Sequence, residues 1–228
     1  MKKNKQIFLI GLSIYDFLNI SIDAIRSINK SQCVVISNKF SKHHINSVRK
    51  LCKILYFEEE LIDNKANNLW KKIISLTAKF DVISHIKIND PIFLSDGIEE
   101  LLFFEKFKIA TKIISGTIEI IELLNKSQNP LTNRFKNSSV TFLNETTNFS
   151  IEETISVLKT DKLIINLLKS YDISRIISEL KKQNKFKKIF FINNYLFEDI
   201  SKRIDNLQKL IKFEKEKTIK NYLIVAKK

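Results

Sequence analysis

The feature that most constrains this fold is a series of short apolar runs separated by polar and amphipathic stretches. Each run has the length of a β-strand, and continuous apolar runs without alternation are typical of buried parallel strands. The runs are Ile7–Ile10, Cys33–Ile36, Val82–Ile86, Ile109–Ile114, Val140–Leu143, Leu163–Leu168, Ile189–Ile192 and Tyr222–Val225.

Several stretches between these runs have the apolar spacing of amphipathic helices. Residues 21–31 repeat isoleucine every three positions behind Ser21, a favourable N-cap. Residues 64–77 place four apolar side chains on one helical face, and the segment after Tyr171 does the same. The alternation of strands and helices predicts an α/β fold with mostly parallel sheets flanked by helices.

The polar stretch Asn125–Asn137 is the best candidate for a linker between two lobes. It predicts an N-terminal α/β lobe over residues 1–125 and a C-terminal α/β lobe over residues 126–228. In open α/β sheets, ligands bind beyond the carboxyl ends of the strands. The loops expected to carry the chemistry therefore follow Ile10, Ile88 and Ile114.

The net charge of +14, with 39 Lys and Arg against 25 Asp and Glu, raises the question of a polyanionic partner. Phosphate recognition needs a concentrated basic footprint, whereas the lysines of this chain are scattered. The pairs Lys181–Lys182 and Lys187–Lys188, for example, have Glu179 and Glu198 nearby. We therefore expect no nucleic-acid partner, although an RNA-binding protein remains an alternative class.

No metal, membrane or export signal emerges from the remaining residues. Cys33 and Cys52 lack metal or redox spacing, and the adjacent His43 and His44 would point in different directions on a helix. No run approaches the roughly 18 apolar residues that cross a bilayer. The apolar start at 7–12 has no small-residue cleavage site behind it. These observations predict a cytoplasmic protein without a metal site or membrane partner.

Three loop segments carry unusual residues in a fixed order. The first reads F-L-I-G-L-S-I-Y-D, in which Gly11 is expected to permit a tight turn. The second, over 85–101, reads H-I-K-I-N-D-P-I-F-L-S-D-G-I-E-E-L, and the third, over 129–134, reads N-P-L-T-N-R. An Asp-Pro pair alone usually marks a turn, and Glu99–Glu100 alone is usually a solvated helix face.

Taken together, these segments resemble the tetrapyrrole methylases, most closely the uroporphyrinogen III C-methyltransferases. That family carries R-L-K-G-G-D-P-F-x-F-G-R-G-x-E-E-L followed by I-P-L-T-H-R. The resemblance implies a two-lobed fold that binds S-adenosylmethionine in a cleft between the lobes. It further implies methyl transfer to a ring carbon of a tetrapyrrole, uroporphyrinogen III or a precorrin, in sirohaem and cobalamin synthesis. Relatives pair as homodimers, so we expect a homodimer here.

The resemblance also implies roles for individual residues. Catalytic roles fall on Asp90, Lys87 and Asn38, and contacts with the tetrapyrrole substrate on Thr132 and Arg134. Cofactor binding falls on Gly11, Ile88, Asn89, Asp90, Phe93, Gly116, Ile118, Glu119 and Leu167.

The chain departs from the family pattern at functional positions. Ile88–Asn89 replaces the family's Gly-Gly pair; Asn89 can adopt a left-handed conformation, whereas Ile88 cannot do so cheaply. Asn38 replaces the family's proposed acid–base Asp, and an amide cannot serve as a general base. A non-catalytic or weakly active relative retained for binding is therefore the alternative function. The first loop also resembles diphthine synthase, while the P-L-T-x-R segment favours the tetrapyrrole branch.

Overall fold

The chain divides into two compact units, residues 1–119 and 120–228, which are described separately. The computed structural model describes residues 5–13, 17–62, 69–93, 95–118, 121, 138–144, 155, 158–167, 180, 182, 188–193, 202–203 and 222–227. The predicted boundary between residues 125 and 126 lies outside the described residues and stays a prediction.

The first unit contains a five-stranded sheet in the order β3-β2-β4-β1-β5, and every neighbouring pair is parallel. Its strands are β1 (Gln6–Leu12), β2 (Cys33–Ile36), β3 (Leu55–Phe57), β4 (Val82–Ile88) and β5 (Ala110–Ile114). Four of these were predicted as apolar runs; β3 was not, because three residues are too few to form a recognisable run. Since all five strands run in one direction, their carboxyl ends meet at one edge, which we call the carboxyl edge.

Helices connect the parallel strands of this sheet. They are α1 (Ile22–Lys30), α2 (Lys42–Leu51), α3 (Glu58–Leu61), α4 (Leu69–Leu76) and α5 (Gly97–Lys106), with a 3₁₀ turn at Phe17–Asn19. The predicted N-cap is confirmed, because the Ala24 amide donates to Ser21 Oγ at 3.1 Å. Helix α4 confirms the described part of the helix predicted over residues 64–77. Within the described residues, no helix combines the length and apolarity required to span a membrane.

Two apolar layers cover the two faces of this sheet. On the face covered by α1 and α2, the core includes Phe8, Ile10, Ile28, Val48 and Ile86. On the face covered by α3, α4 and α5, it includes Ile7, Leu9, Ile73, Ile83 and Phe104. Successive side chains of a strand point to opposite faces, so β1 and β4 supply both layers. We call these the α1–α2 face and the α3–α5 face.

The second unit contains a mixed five-stranded sheet in the order β6-β7-β10-β8-β9. Its strands are β6 (Val140–Asn144), β7 (Lys162–Leu167), β8 (Lys188–Asn193), β9 (Lys202–Arg203) and β10 (Tyr222–Lys227). Only β6 and β7 are parallel; the other three pairs are antiparallel. The α/β fold class is confirmed, but the prediction of a mostly parallel sheet in this lobe is wrong. An apolar run indicates burial on both faces of a strand and carries no information about its direction.

Candidate active site

The loops after β1, β4 and β5 meet at the carboxyl edge with their backbones in direct contact. The Asn89 amide donates to the Leu12 carbonyl at 2.8 Å, and Asn89 has a left-handed φ of 63°. A Cβ added to Gly116 would lie 2.5 Å from the Asn89 carbonyl oxygen and 2.6 Å from Gly11 Cα. Because no side chain fits between these backbones, residues 11 and 116 have to be glycine. The left-handed conformation predicted for Asn89 is confirmed.

All three glycines of the chain lie at such positions. Gly97 begins α5, and a Cβ there would overlap the Pro91 carbonyl and lie 3.1 Å from Pro91 Cβ. None of the three glycines has a positive φ. The tight turn expected at Gly11 is therefore wrong, since this residue lies inside β1 and is needed for close backbone approach.

Asp90 connects two of these loops through its side chain. Its carboxyl group is buried, with 7% of the residue exposed. Oδ1 accepts hydrogen bonds from the amides of Ile92 (2.9 Å) and Phe93 (3.0 Å), and Oδ2 accepts one from the Gly116 amide (3.2 Å). Asp90 thus holds the loop after β4 against the loop after β5. This geometry makes it a positioning residue, and its catalytic role stays a prediction.

A network of charged side chains, fully buried at His85 and Glu100, lies beside this loop on the α3–α5 face. The His85 side chain in β4 is fully buried between two carboxylates. Its Nδ1 lies 2.5 Å from Glu100 Oε1, and its Nε2 lies 2.7 Å from Glu58 Oε1. Lys87 Nζ, two residues further along the strand, donates to Glu100 Oε2 at 3.0 Å and to Asp96 Oδ1 at 2.8 Å. We call Glu58, His85, Lys87, Asp96 and Glu100 the edge network.

The proton affinities of the edge network follow from burial and opposing charge. Burial acts to lower the pKa of His85, but Glu100 and then Glu58 outweigh it and raise that pKa to about 9. The pKa of Lys87 is likewise raised, because Glu100 and Asp96 outweigh its burial. Burial acts to raise the pKa values of Glu100 and Asp96, but the neighbouring cations lower both. All four side chains are therefore charged at neutral pH.

Sequence reasoning missed this network. A Glu-Glu pair taken alone is usually a solvated helix face, yet the side chain of Glu100 is 0% exposed. The available signal was the pair His85 and Lys87, which lie on one face of a mostly apolar strand. Buried cations require compensating carboxylates, so two of them on one strand face predict acidic partners nearby. Lys87 was predicted to be catalytic; it lies in the edge network, and its catalytic role stays a prediction.

Asn38, the third predicted catalytic residue, lies in the turn after β2 at the same edge. Its side chain is exposed. Its backbone amide donates to Glu59 Oε2 at 3.0 Å and to Glu59 Oε1 at 3.2 Å. Ser37 Oγ donates to Glu59 Oε1 at 2.9 Å. The carboxylate bound to this turn therefore comes from α3 rather than from position 38.

The remaining predicted site residues are only partly described. Ile118 follows β5 and is partly buried, and Leu167 ends β7 in the second unit. Glu119, Thr132 and Arg134 lie outside the described residues. Within the described ranges, no group of three His, Cys, Asp or Glu side chains is arranged to hold a metal ion.

Comparison with known proteins gives matches only among solved structures. No protein-family model and no curated protein matches the sequence. A uroporphyrin-III C-methyltransferase from Thermus thermophilus superimposes with a TM-score of 0.71 at 15% identity, over 97% of this chain and 94% of that one. A cobalt precorrin-4 methyltransferase gives a TM-score of 0.72 at 13% identity, over 97% and 94%.

A third similar structure is a Thermus thermophilus uroporphyrin-III C-methyltransferase complexed with S-adenosylhomocysteine. It has a TM-score of 0.67 at 14% identity, and the match covers 96% of each chain. Coverage of nearly the whole chain in all three cases confirms, at the level of the fold, the resemblance inferred from the loop motifs. The chain therefore has the fold of the tetrapyrrole methyltransferases.

Proposed function

We propose that this protein is an S-adenosylmethionine-dependent C-methyltransferase that acts on a tetrapyrrole, either uroporphyrinogen III or a precorrin. The observation that carries the proposal is the convergence of Gly11, Asn89 and Gly116 at the carboxyl edge. Ligands of parallel α/β sheets bind at this edge, and glycine there permits close approach of backbones. In a chain with only 3 Gly, two lie in this contact, which supports selection on its geometry.

The residues around this contact suit a nucleoside cofactor. The loop after β4 offers backbone at Ile88–Asp90, and Phe93 and Ile118 are partly buried apolar side chains. Apolar walls with a few oriented polar groups are typical of small-molecule sites. These residues would hold S-adenosylmethionine, which supplies an electrophilic methyl group. The chain's own contribution would be to orient the acceptor carbon beside it, a large part of rate acceleration in group transfer.

A second candidate function, binding without turnover, is favoured by the turn after β2. Methylation of a ring carbon releases a proton, which a positioned base would take up. Asn38 cannot accept it, because its side chain is an amide. If the protein is instead an active enzyme, the exposed carboxylate of Glu59, which is bound to this turn, is the group that would take up the proton.

Two measurements test these functions in sequence. Calorimetry with S-adenosylhomocysteine should give one-to-one binding, and its absence would refute both candidate functions. Incubation with S-adenosylmethionine and uroporphyrinogen III should then give a product heavier by whole methyl groups in mass spectrometry. Binding without product from uroporphyrinogen III or precorrins supports the binding relative, and Glu59→Gln should abolish any transfer while binding survives.

We also propose a homodimer, which the relatives of this fold suggest. Light scattering at micromolar concentration should give twice the protomer mass. A single protomer at that concentration contradicts the proposed assembly.

A further inference from the structure

The position of His85 shows a feature that the proposed function does not use. Its side chain is fully buried, and both ring nitrogens lie within hydrogen-bond distance of a carboxylate, Glu100 Oε1 on α5 and Glu58 Oε1 on α3. A neutral imidazole carries one N–H, so its other nitrogen would present a lone pair to a carboxylate. Both contacts are favourable together only when the ring is doubly protonated.

The same carboxylate continues the chain of contacts toward the loop after β4. Glu100 uses Oε1 for His85 and Oε2 for Lys87, whose Nζ also contacts Asp96 Oδ1. Asp96 lies just before α5, in the loop that begins with Asn89 and Asp90. The loop is thus held at its start by the hydrogen bonds that Asp90 accepts from Ile92, Phe93 and Gly116, which we call the Asp90 clamp, and at its end by the edge network.

We propose that His85 is a positioning residue whose protonated ring joins α3 to α5 and fixes residues 89–93 and 95–96 of the loop after β4 for ligand binding. This inference rests on the proposed function, because the ligand is taken to be S-adenosylmethionine. Loss of the His85 proton would leave Glu58 and Glu100 facing an uncharged ring, and α5 would lose its anchor on α3. The loop would then sample other conformations, and affinity would fall by the fraction of molecules with a displaced loop.

Among the described residues, the charged groups that act on the pKa of His85 belong to the edge network. Glu58 approaches from α3, Glu100 from α5, and Lys87 lies on its own strand, with Asp96 beyond it. The paired strands β1 and β2 place Leu9 and Val35 beside it, and these are apolar. The pH response of the network is therefore set by His85 between neutral pH and the alkaline range, where its pKa of about 9 lies.

The test measures S-adenosylhomocysteine affinity from about pH 7 to about pH 10, together with the His85 ring signals in NMR. We expect the affinity to fall roughly tenfold as the His85 signals titrate. His85→Arg keeps a permanent charge and should flatten this dependence. The ligand's own amino group titrates alike in both proteins, so the difference between the two profiles reports His85.

A milder variant covers the case in which the His85→Arg protein does not fold. Glu58→Gln removes one charge at the partly exposed end of the network, where 21% of the side chain is accessible. It should move both the His85 titration and the affinity midpoint to lower pH. Glu60→Gln, on the same helix but bonded to the Phe57 amide, is the matched control and should leave both unchanged.

The exchange rates of the Asn89, Asp90, Ile92, Phe93, Ser95 and Asp96 amides, each divided by its intrinsic rate at the same pH, separate failure of this inference from failure of the proposed function. If the ligand does not bind at any pH but exchange rises with His85 titration, the positioning role stands and the methyltransferase proposal fails. If exchange and affinity stay flat through the His85 titration, the positioning role is wrong. If Glu58→Gln and Glu60→Gln shift the His85 titration and the affinity midpoint by the same amount, the positioning role is also wrong.

Discussion

The two faces of strand β4 are both buried, yet they differ in chemistry at the carboxyl edge. On the α1–α2 face, Ile86 belongs to an apolar core and Ile88 packs against it. On the α3–α5 face, Ile83 belongs to the apolar core, but His85 and Lys87 continue the strand with charge. The apolar layer therefore extends to the carboxyl edge on the α1–α2 face, whereas charged side chains replace it near that edge on the α3–α5 face.

This difference indicates what each face contributes. Apolar burial stabilises the fold by roughly 25 cal/mol per Å² removed from water. A buried ion pair is often no more stabilising than apolar residues of the same volume, because desolvation offsets the attraction. The edge network is therefore better explained by the geometry that it imposes on α3, α5 and the loop between β4 and α5. Its directional bonds fix positions that apolar packing would leave more variable.

The largest expected effect comes from removing the central carboxylate of the network. Glu100→Gln leaves His85 and Lys87 buried with no shared anion, so the free energy of unfolding should fall by about 3–5 kcal/mol. Urea unfolding at neutral pH measures this loss. Glu99→Gln, at the exposed neighbouring position of α5, should change stability by less than about 0.5 kcal/mol. Equal losses in the two variants would contradict the contrast between the faces.

A smaller effect is expected from pH, because alkaline pH removes only one charge from the network. The pKa of His85 rises from 6.5 to about 9 in the folded protein, so its stabilisation is complete below 6.5 and is lost as pH rises through about 9. The pKa values of Glu100 and Asp96 are lowered from 4.5 and 3.8, so their stabilisation is lost as pH falls below these values. Urea midpoints measured across pH should therefore peak between these limits. A constant midpoint from 6.5 to 9 would contradict the charged state of His85.

A third effect concerns the clamp where the loops after β4 and β5 meet. Asp90→Asn retains an oxygen for the Ile92 and Phe93 amides but can present an NH₂ group to the Gly116 amide. Two donors then oppose each other, so stability should fall by about 1–2 kcal/mol. Under the proposed function, S-adenosylhomocysteine affinity should fall roughly tenfold, about 1.4 kcal/mol. Unchanged thermal stability and affinity in this variant would remove Asp90 from the positioning machinery.

The smallest expected effect lies on the apolar face of the same strand. Ile86→Val deletes one methylene group from a fully buried side chain and should reduce stability by about 0.5–1.5 kcal/mol. The pH dependence of the urea midpoint should keep its shape, because no charge lies in this layer of β4. A changed pH profile in Ile86→Val would show that the two faces are coupled.

The sequence predicts the elements of this fold better than their arrangement. All eight predicted apolar runs correspond to strands, because a contiguous apolar run is a local pattern that the sequence shows directly. The mixed pairing of β10 with β7 and β8 was missed, since strand direction depends on distant connections. Strand β3 and helix α3 were missed because they are too short to show a period.

The predicted site residues come from local sequence motifs. Gly11, Asn89 and Gly116 were all placed in the site by the resemblance of the loop motifs, and the residue type of Asn89 indicated that it tolerates a positive φ. The edge network was not predicted, because it joins Glu58 to His85 across 27 positions and requires Glu100 to point inward. No periodic pattern encodes contacts of that kind.

The placement of the glycines limits how this protein can be stabilised by engineering. Replacing glycine with alanine usually reduces the conformational entropy of the unfolded chain and raises the melting temperature. Here all three glycines, at positions 11, 97 and 116, have backbone atoms where the new methyl group would stand. That strategy has no permissible position in this chain. Thermostable variants will have to come from surface substitutions, helix caps and cavity filling elsewhere.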